Sequence, residues 1–323
     1  CKFSLCFRLL ILSIFVQDGD AANRTGPARM SAKRANNVSQ LEHLSSMNSL
    51  DYPCYTAGLG EACSEIEYSG DEARKLLNLL FCDFPRSEGP VLSRRFGVVF
   101  AGSPARMSLW LGEKQIYFGE SKQLLAQFLM NEILYDCIIS NTSNQAIHAA
   151  AISSGGKGLL LPGKSGSGKS SLAAWLTASG MNYLTDELAF LSRKGFINPI
   201  TRPICLKQPS YEALQKRLSL DETNVLRGQD GVMIPHRLLN PMWNASTPRL
   251  DAIVFPTFVK DHPATLAEIS TARSCLKLME CHVNARNLPG HGFSEIAAMT
   301  RNISSYELTF GSYDGVLDLL LPL

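Results

Sequence analysis

Hydrophobic positions between residues 70 and 140 first recur at helical spacing. Leucines three and four positions apart predict a helix over 72–81, and they are Leu76, Leu77 and Leu80. Farther along, Ser121 suits the N-cap of a second helix, because its hydroxyl can accept a hydrogen bond from a backbone N–H of the first turn. The apolar face of that helix carries Leu124, Leu125, Phe128, Leu129 and Ile133.

Between these two helices the period changes to that of strands. Short apolar runs alternate with turn residues over 95–120, and the turns are predicted at 102–104 and 112–113. The polar run at 140–144 predicts a loop after the second helix. We therefore expect a small α+β region over 50–144 that ends at this loop.

The second half of the chain carries strand patterns separated by glycines and helix formers. Strands are predicted at 158–162, 181–184 and 305–310, and helices at 171–176 and 315–321. Strands that alternate with helices are typical of α/β domains. We expect an α/β domain over 145–323 with a mixed central sheet.

The first 49 residues follow neither period. Residues 1–16 are strongly apolar but too short to cross a bilayer as a helix, which takes about 20 residues. Three interpretations stay open: an extension upstream of a natural start at Met30, a signal peptide or anchor, or a structured element. The stretch 18–49 is polar and predicts a mobile tail. We expect 1–49 to be a disordered tail or a non-native extension.

Composition narrows the class of protein. Of the 323 residues, 45% are hydrophobic and 19% are charged, which is typical of globular proteins and excludes a fibrous or wholly disordered chain. A net charge of +2 argues against a nucleic-acid-coating surface. Nine cysteines, an odd number without a CxxC pair, favour a reducing, cytoplasmic compartment over a disulfide framework. We expect neither a nucleic-acid partner nor a membrane partner.

One segment carries specific chemistry. After the strand at 158–162 the chain reads Gly163-Lys164-Ser165-Gly166-Ser167-Gly168-Lys169-Ser170, followed by Ser171 and a run of helix formers. This is the complete G-x-x-x-x-G-K-S spacing of a phosphate-binding loop. Glycines let backbone N–H groups face phosphate oxygens, and the helix N-terminus adds partial positive charge. We expect residues 163–171 to bind ATP, with Lys169 reaching the β- and γ-phosphates and Ser170 ligating Mg²⁺.

The position of the next acidic residues is unusual for such a loop. Asp186 and Glu187 follow Lys169 after only one predicted helix and one short strand. A helix that returns by an adjacent strand would bring the two carboxylates back beside the loop; the alternative is a solvated turn. A later apolar run at 252–255 ends in Pro256 and not in an acid, which makes it a poor metal-binding strand.

The stretch from 148 to 191 resembles the HPr kinase/phosphorylase family and its relatives, serine kinases whose fold is akin to that of phosphoenolpyruvate carboxykinase. The matching segments are His148-Ala149-Ala150, Gly163 to Ser170, and Thr185-Asp186-Glu187. The family has an Asp-Asp pair where this chain has Asp186-Glu187. Looser similarity continues around Arg202, 253–256 and 290–293, and it resembles the related kinases more than the HPr kinases proper.

This resemblance, together with the chemistry of the side chains, implies a role for each residue. Asp186 is the expected general base, and Ser170 and Glu187 are the expected Mg²⁺ ligands. His148 is expected to tune Asp186 or to touch the γ-phosphate, although a histidine satisfied at a strand start is the simpler alternative. Lys169 is expected to be catalytic as well as to bind phosphate. Arg202, Lys207 and Arg286 are candidates to stabilise the transferred phosphoryl group, with a solvated surface position as the alternative for each.

Taken together, these features predict a P-loop kinase that uses ATP and Mg²⁺ to phosphorylate a serine hydroxyl of a protein or peptide. An ATP-binding regulatory module without transferase activity is one alternative. A small-molecule kinase or carboxykinase-like enzyme is another, although no manganese cluster of recognisable spacing is present. The sequence is compatible with a homo-oligomer and does not name the acceptor.

Three further features weigh less. Cys275 and the Cys281-His282 pair lack the spacing of a metal site, so we expect them to be buried or incidental. His291 lies in a predicted tight turn, and Trp175 is expected to pack into the core.

Overall fold

A computed structural model describes residues 53–60, 62–86, 93–102, 106–215, 218, 224–229 and 231–323. The predicted tail over 1–49 and the tip of the turn at 102–104 lie outside these residues. Residues Cys54–Leu323 form one compact unit.

The first part of this unit is a five-stranded sheet in chain order. Its strands are β1 Cys54–Ala57, β2 Cys63–Ser69, β3 Ser93–Ala101, β4 Arg106–Leu111 and β5 Lys114–Gly119. Helix α1 (Asp71–Phe81) lies between the parallel strands β2 and β3 in the chain, and helix α2 (Lys122–Ile139) follows β5. The hydroxyl of Ser121 accepts a hydrogen bond from the Leu124 N–H at 3.2 Å, which confirms the predicted N-cap. The predicted helix over 72–81 and the strands over 95–120 are confirmed as well.

The second part is built on an eight-stranded mixed sheet, as predicted. Its strands are β6 Gln145–Ser154, β7 Lys157–Pro162, β8 Asn182–Thr185, β9 Leu188–Leu191, β10 Ile197–Pro199, β14 Arg249–Phe258, β15 Thr265–Glu268 and β16 Ser304–Phe310. The spatial order is β10-β9-β6-β7-β14-β16-β15, with β8 paired to β6 on the same edge as β9. Strands β7, β14 and β16 are parallel and their neighbours are antiparallel.

Strand β14 runs two residues beyond Pro256, where the sequence pattern predicts an end. Its pairing with β7 stops at Ile253↔Leu160, while its parallel pairing with β16 continues to Phe258↔Phe310. Proline has no N–H and is tolerated where that N–H would have no partner. Because β7 has already turned into the glycine loop at this level, Pro256 costs the sheet no ladder hydrogen bond.

Helices cover both faces of this sheet. They are α3 Lys169–Ala178, α4 Gln208–Gln215, α5 His236–Leu239, α6 Thr271–Glu280, α7 Phe293–Asn302 and α8 Val316–Leu320. Helix α3 packs on one face through Leu172, Ala173 and Leu176, whereas Leu278 and Ile296 from α6 and α7 pack on the opposite face. A small antiparallel sheet lies beside α3 and consists of β11 Ile204–Leu206, β12 Leu226–Gly228 and β13 Gly231–Ile234.

The two parts share a hydrophobic core. One cluster joins α1, α2 and the first sheet to Ala146, Leu188 and Phe190 of the second sheet. The domain boundary near residue 145 stays a prediction. In the part of the chain that the structure describes, no helix combines the length and the apolar character that crossing a membrane requires.

Candidate functional site

The glycine loop connects the end of β7 to the start of α3. Gly166 and Gly168 have φ angles of +87° and +92°, in the left-handed region that a side chain would strain. At Gly168 a Cβ atom would also lie 3.1 Å from the Phe310 ring, so the site requires glycine for two reasons. Gly168 is the N-cap of α3 and offers no side-chain hydrogen bond to the first turn. The loop therefore leaves the amides of the α3 N-terminus available to a ligand.

The side chain of Lys169 is enclosed by this loop and bonds to its backbone. Its Nζ atom donates hydrogen bonds to the carbonyl oxygens of Gly163 at 2.7 Å and Lys164 at 3.0 Å. Burial lowers the pKa of the Lys169 ammonium, and the charge of Glu187 opposes that shift. The Ser167 hydroxyl is buried in the same loop and has no hydrogen-bond partner among the residues that the structure describes. A cation and an unsatisfied hydroxyl inside a glycine loop fit a phosphate group, which accepts hydrogen bonds from both.

The sheet brings Glu187 towards the loop through strand β6. Ala149 of β6 pairs with Pro162 at the end of β7, while His148 pairs with Leu188 at the start of β9. The sequence suggested that the strand returning after α3 would border β7. It borders β6 instead, because β6 forms a tight hairpin with β7 and occupies that edge. His148 lies between the loop and the Asp186-Glu187 pair.

Glu187 is the partly exposed carboxylate of this site, with 32% of its side chain accessible. Its Oε1 atom lies 3.3 Å from His148 Nδ1, and its Oε2 atom accepts a hydrogen bond from Arg202 Nη2 at 3.2 Å. Burial opposes ionisation of this carboxyl, but His148, Arg202 and Lys169 outweigh it and lower the pKa of Glu187 to about 2. Glu187 is therefore an anion at neutral pH.

Asp186 lies beneath Glu187 and is completely buried. Its Oδ1 atom accepts hydrogen bonds from Tyr183 Oη and Arg202 Nε, both at 3.1 Å, and its Oδ2 atom accepts one from the Cys205 N–H at 3.0 Å. The Arg202 side chain is 7% exposed, so the two form a buried ion pair. Although burial opposes the charge of the guanidinium, the Asp186 carboxylate raises the pKa of Arg202. In this conformation no oxygen of Asp186 faces solvent.

A segment after α6 completes the wall of the site. Once β7 has turned into the loop, Cys281 takes its place beside β6, and its carbonyl accepts the His148 N–H at 2.8 Å. At the outer rim, Lys164 lies 3.3 Å from Glu280. Burial raises the pKa of the Cys281 thiol.

The remaining candidates lie at different depths. The charge of Lys207 is close enough to lower the pKa of Lys169, whereas Arg286 is exposed on the short 3₁₀ helix Ala285–Asn287. His291 is exposed in a left-handed turn with φ 56°, and Trp175 is half-buried with its ring stacked on Tyr313 at 5.2 Å. Residues Ser170 and Ser171 are half-buried in the first turn of α3.

Sequence reasoning missed three residues of this site: Tyr183, Cys205 and Cys281. Tyr183 and Cys205 contact Asp186 from β8 and from the middle of β11, and Cys281 is distant in the chain from both. None of them belongs to a motif, so the sequence offers no signal for them.

Comparison with known proteins assigns this chain to no family. No protein-family model matches the chain, and no curated protein matches it significantly. Among the described residues, no three His, Cys, Asp or Glu side chains converge in a group that could hold a metal ion.

Proposed function

We propose that this protein transfers a phosphoryl group from ATP, with Mg²⁺, to a serine hydroxyl of a protein or peptide. Its domain would be of the HPr kinase/phosphoenolpyruvate carboxykinase-like type, acting in the cytoplasm. The observation that carries the proposal is the Glu187 carboxylate, which His148 and Arg202 hold one strand away from a glycine loop that contains a buried lysine. Fixed charges of both signs beside a phosphate cradle are what phosphoryl transfer requires.

The loop would bind the triphosphate. Backbone N–H groups of residues 163–171 and the α3 N-terminus suit phosphate oxygens, and the Ser167 hydroxyl offers a donor that has no partner in the described part of the chain. Lys169 would exchange its two loop carbonyls for phosphate oxygens, which bind a cation more strongly.

Glu187 and Ser170 are the residues suited to hold Mg²⁺. Such an ion, when bound, neutralises negative charge on the phosphates. Magnesium sites of this kind use one or two protein ligands together with substrate oxygens and water, so two protein ligands are sufficient. The low pKa of Glu187 keeps the carboxylate charged, as a hard-cation ligand must be.

Asp186 is given a positioning role in this proposal instead of the proton-accepting role that the sequence suggested. Its two oxygens already accept three hydrogen bonds, one of them from the Arg202 guanidinium. Arg202 in turn holds Glu187. Phosphoryl transfer depends more on alignment and charge than on a strong base. Asp186 would therefore contribute by fixing the position of Arg202, which in turn positions Glu187.

A second candidate function is a regulatory module that binds ATP without transferring phosphate. The burial of Asp186 favours it, because the carboxylate expected to receive the proton of an acceptor hydroxyl is enclosed and already paired with Arg202. The loop would serve both functions equally.

Transfer from γ-labelled ATP to serine-containing peptides tests the proposal. We expect incorporation by the wild type, loss of it in Glu187→Gln, and a loss of ATP affinity in Lys169→Ala of roughly tenfold or more. Lys157→Ala, at the opposite end of β7, is the matched control and should bind and transfer as the wild type does. ATP binding that depends on Lys169 without transfer to any peptide would favour the regulatory module. Equal binding by wild type and Lys169→Ala would reject both functions.

A further inference from the structure

An exposed aromatic side chain lies beside the glycine loop, on the side away from Glu187. Phe258 ends strand β14 with 47% of the residue accessible, and the next residue, Val259, is 43% accessible. The Phe258 N–H donates a hydrogen bond to the Ser167 carbonyl at 3.2 Å. A Cβ atom at Gly168 would lie 3.3 Å from the Phe258 Cβ. A large apolar ring therefore borders the phosphate cradle directly.

The turn after Phe258 holds this ring in place. The Val259 N–H bonds the Phe310 carbonyl at 2.9 Å, and the Gly311 N–H bonds the His262 carbonyl at 2.8 Å. Gly311 allows this close approach, since a Cβ there would lie 2.3 Å from the Val259 carbonyl oxygen. The Phe258 ring also contacts the buried Phe310 ring edge to face, with centroids 5.6 Å apart. The surface of the ring is thus presented by a turn anchored on both sides.

The order of the strands gives the loop two unlike flanks. His148 on β6 lies on one side of β7, and Phe258 on β14 lies on the other; the two strands are two strand spacings, or about 10 Å, apart. Both residues are on the α3 face of the sheet, because Ala150 and Val254, an even number of positions away, pack in the cluster with Leu172 of α3. For a nucleotide whose terminal phosphate meets Lys169 and Glu187, the β14 flank is the side opposite these charges, where its other end has an apolar surface to contact.

We propose that Phe258 and Val259 form the platform on which the purine base of ATP stacks. The inference rests on the proposed function and adds the position of the base to it. An aromatic ring stacks on any base, so the platform contributes affinity for a nucleoside triphosphate over a bare polyphosphate without selecting one purine.

Calorimetric titration of the full chain with ATP and with inorganic tripolyphosphate tests this assignment. We expect Phe258→Ala to weaken ATP binding roughly tenfold and to leave tripolyphosphate binding unchanged. Phe258→Trp should restore ATP affinity, because it restores the stacking surface. The matched control is Phe293→Ala, which removes a ring that is 56% exposed at the start of α7; it should bind both ligands as the wild type does.

Two results would overturn the assignment while leaving the proposed function intact: ATP affinity unchanged in Phe258→Ala, or equal weakening of ATP and tripolyphosphate. The second would mean that the substitution disturbs the cradle through Ser167 rather than the base. A wild type that binds neither ligand would instead reject the proposed function, and the inference with it.

Discussion

The two flanks of the glycine loop differ in almost every physical respect. On the β6 flank, ionised groups are interlocked: Asp186 and Arg202 are buried against each other and Glu187 is held between Arg202 and His148. On the β14 flank the surface is apolar and exposed, and Phe258 is anchored by backbone hydrogen bonds and by the Phe310 ring, without any ion pair. The structure of the β6 flank depends on the balance of its buried charges, whereas that of the β14 flank depends on the conformation of its backbone turn.

This difference predicts where each flank is vulnerable. A buried ion pair is costly to assemble and more costly to break, because the remaining charge cannot return to water. An exposed ring on a fixed turn can be removed with little effect on folding. Changes on the β6 flank should therefore affect stability as well as function, whereas changes on the β14 flank should affect binding.

The largest expected effect is that of Asp186→Asn. It leaves the shape of the side chain intact but deprives the buried Arg202 of its closest counter-charge, which we expect to cost about 3–5 kcal/mol of unfolding free energy. Urea unfolding measures it. The matched control is Glu187→Gln, which should cost clearly less, because Glu187 is partly exposed and Asp186 still neutralises Arg202. A variant that loses transfer with unchanged stability would restore the proton-accepting role to Asp186.

The second prediction concerns His236, which lines the same cavity as Arg202. Burial, aided by the charge of Arg237 and opposed by Asp83, lowers the pKa of this imidazole to about 4. The unfolded chain binds a proton near pH 6.5, so stability is complete above that pH and falls as the pH drops towards 4. We expect a loss of about 2 kcal/mol between pH 7.5 and pH 5.0 from this residue.

His236→Phe isolates that contribution. It keeps an aromatic ring between Tyr183 and Trp243, whose rings lie 5.3 and 4.4 Å from the imidazole, and it removes the titration. The predicted loss of stability at low pH should disappear in His236→Phe, whereas His262→Gln, on a half-buried histidine elsewhere in the fold, should retain it. Parallel pH profiles for wild type and His236→Phe would contradict the prediction.

The smallest effect separates two glycines of the loop itself. Gly166→Ala meets no atom within 4 Å and should cost only the strain of a positive φ, about 1 kcal/mol. Gly168→Ala adds a contact of 3.1 Å with the Phe310 ring and 3.3 Å with Phe258, so we expect it to cost about 1 kcal/mol more. Thermal unfolding of the two variants measures both losses of stability. Equal losses would show that the β14 flank yields easily and is not the fixed surface described above.

Local patterns accounted for much of this architecture. Leucine spacing, a serine cap and the glycine loop are each contained in a few consecutive residues, and the helices α1, α2 and α3 follow from them. The small sheet around β13 was not predicted, because its strands are only three or four residues long and show no clear alternation. Short strands gain their stability from neighbours that are distant in the chain.

For the candidate site, the sequence alone determined the glycine loop, its lysine and the acidic pair, because each is read within a short span of chain. Which of the two acids stays partly open to solvent was decided only by the tertiary structure. Strand β6 separates β7 from β8 and β9, and the burial of Arg202 occupies Asp186 and leaves Glu187 partly open. Strand order and the pairing of buried charges depend on contacts between residues far apart in the chain, and no local pattern encodes them.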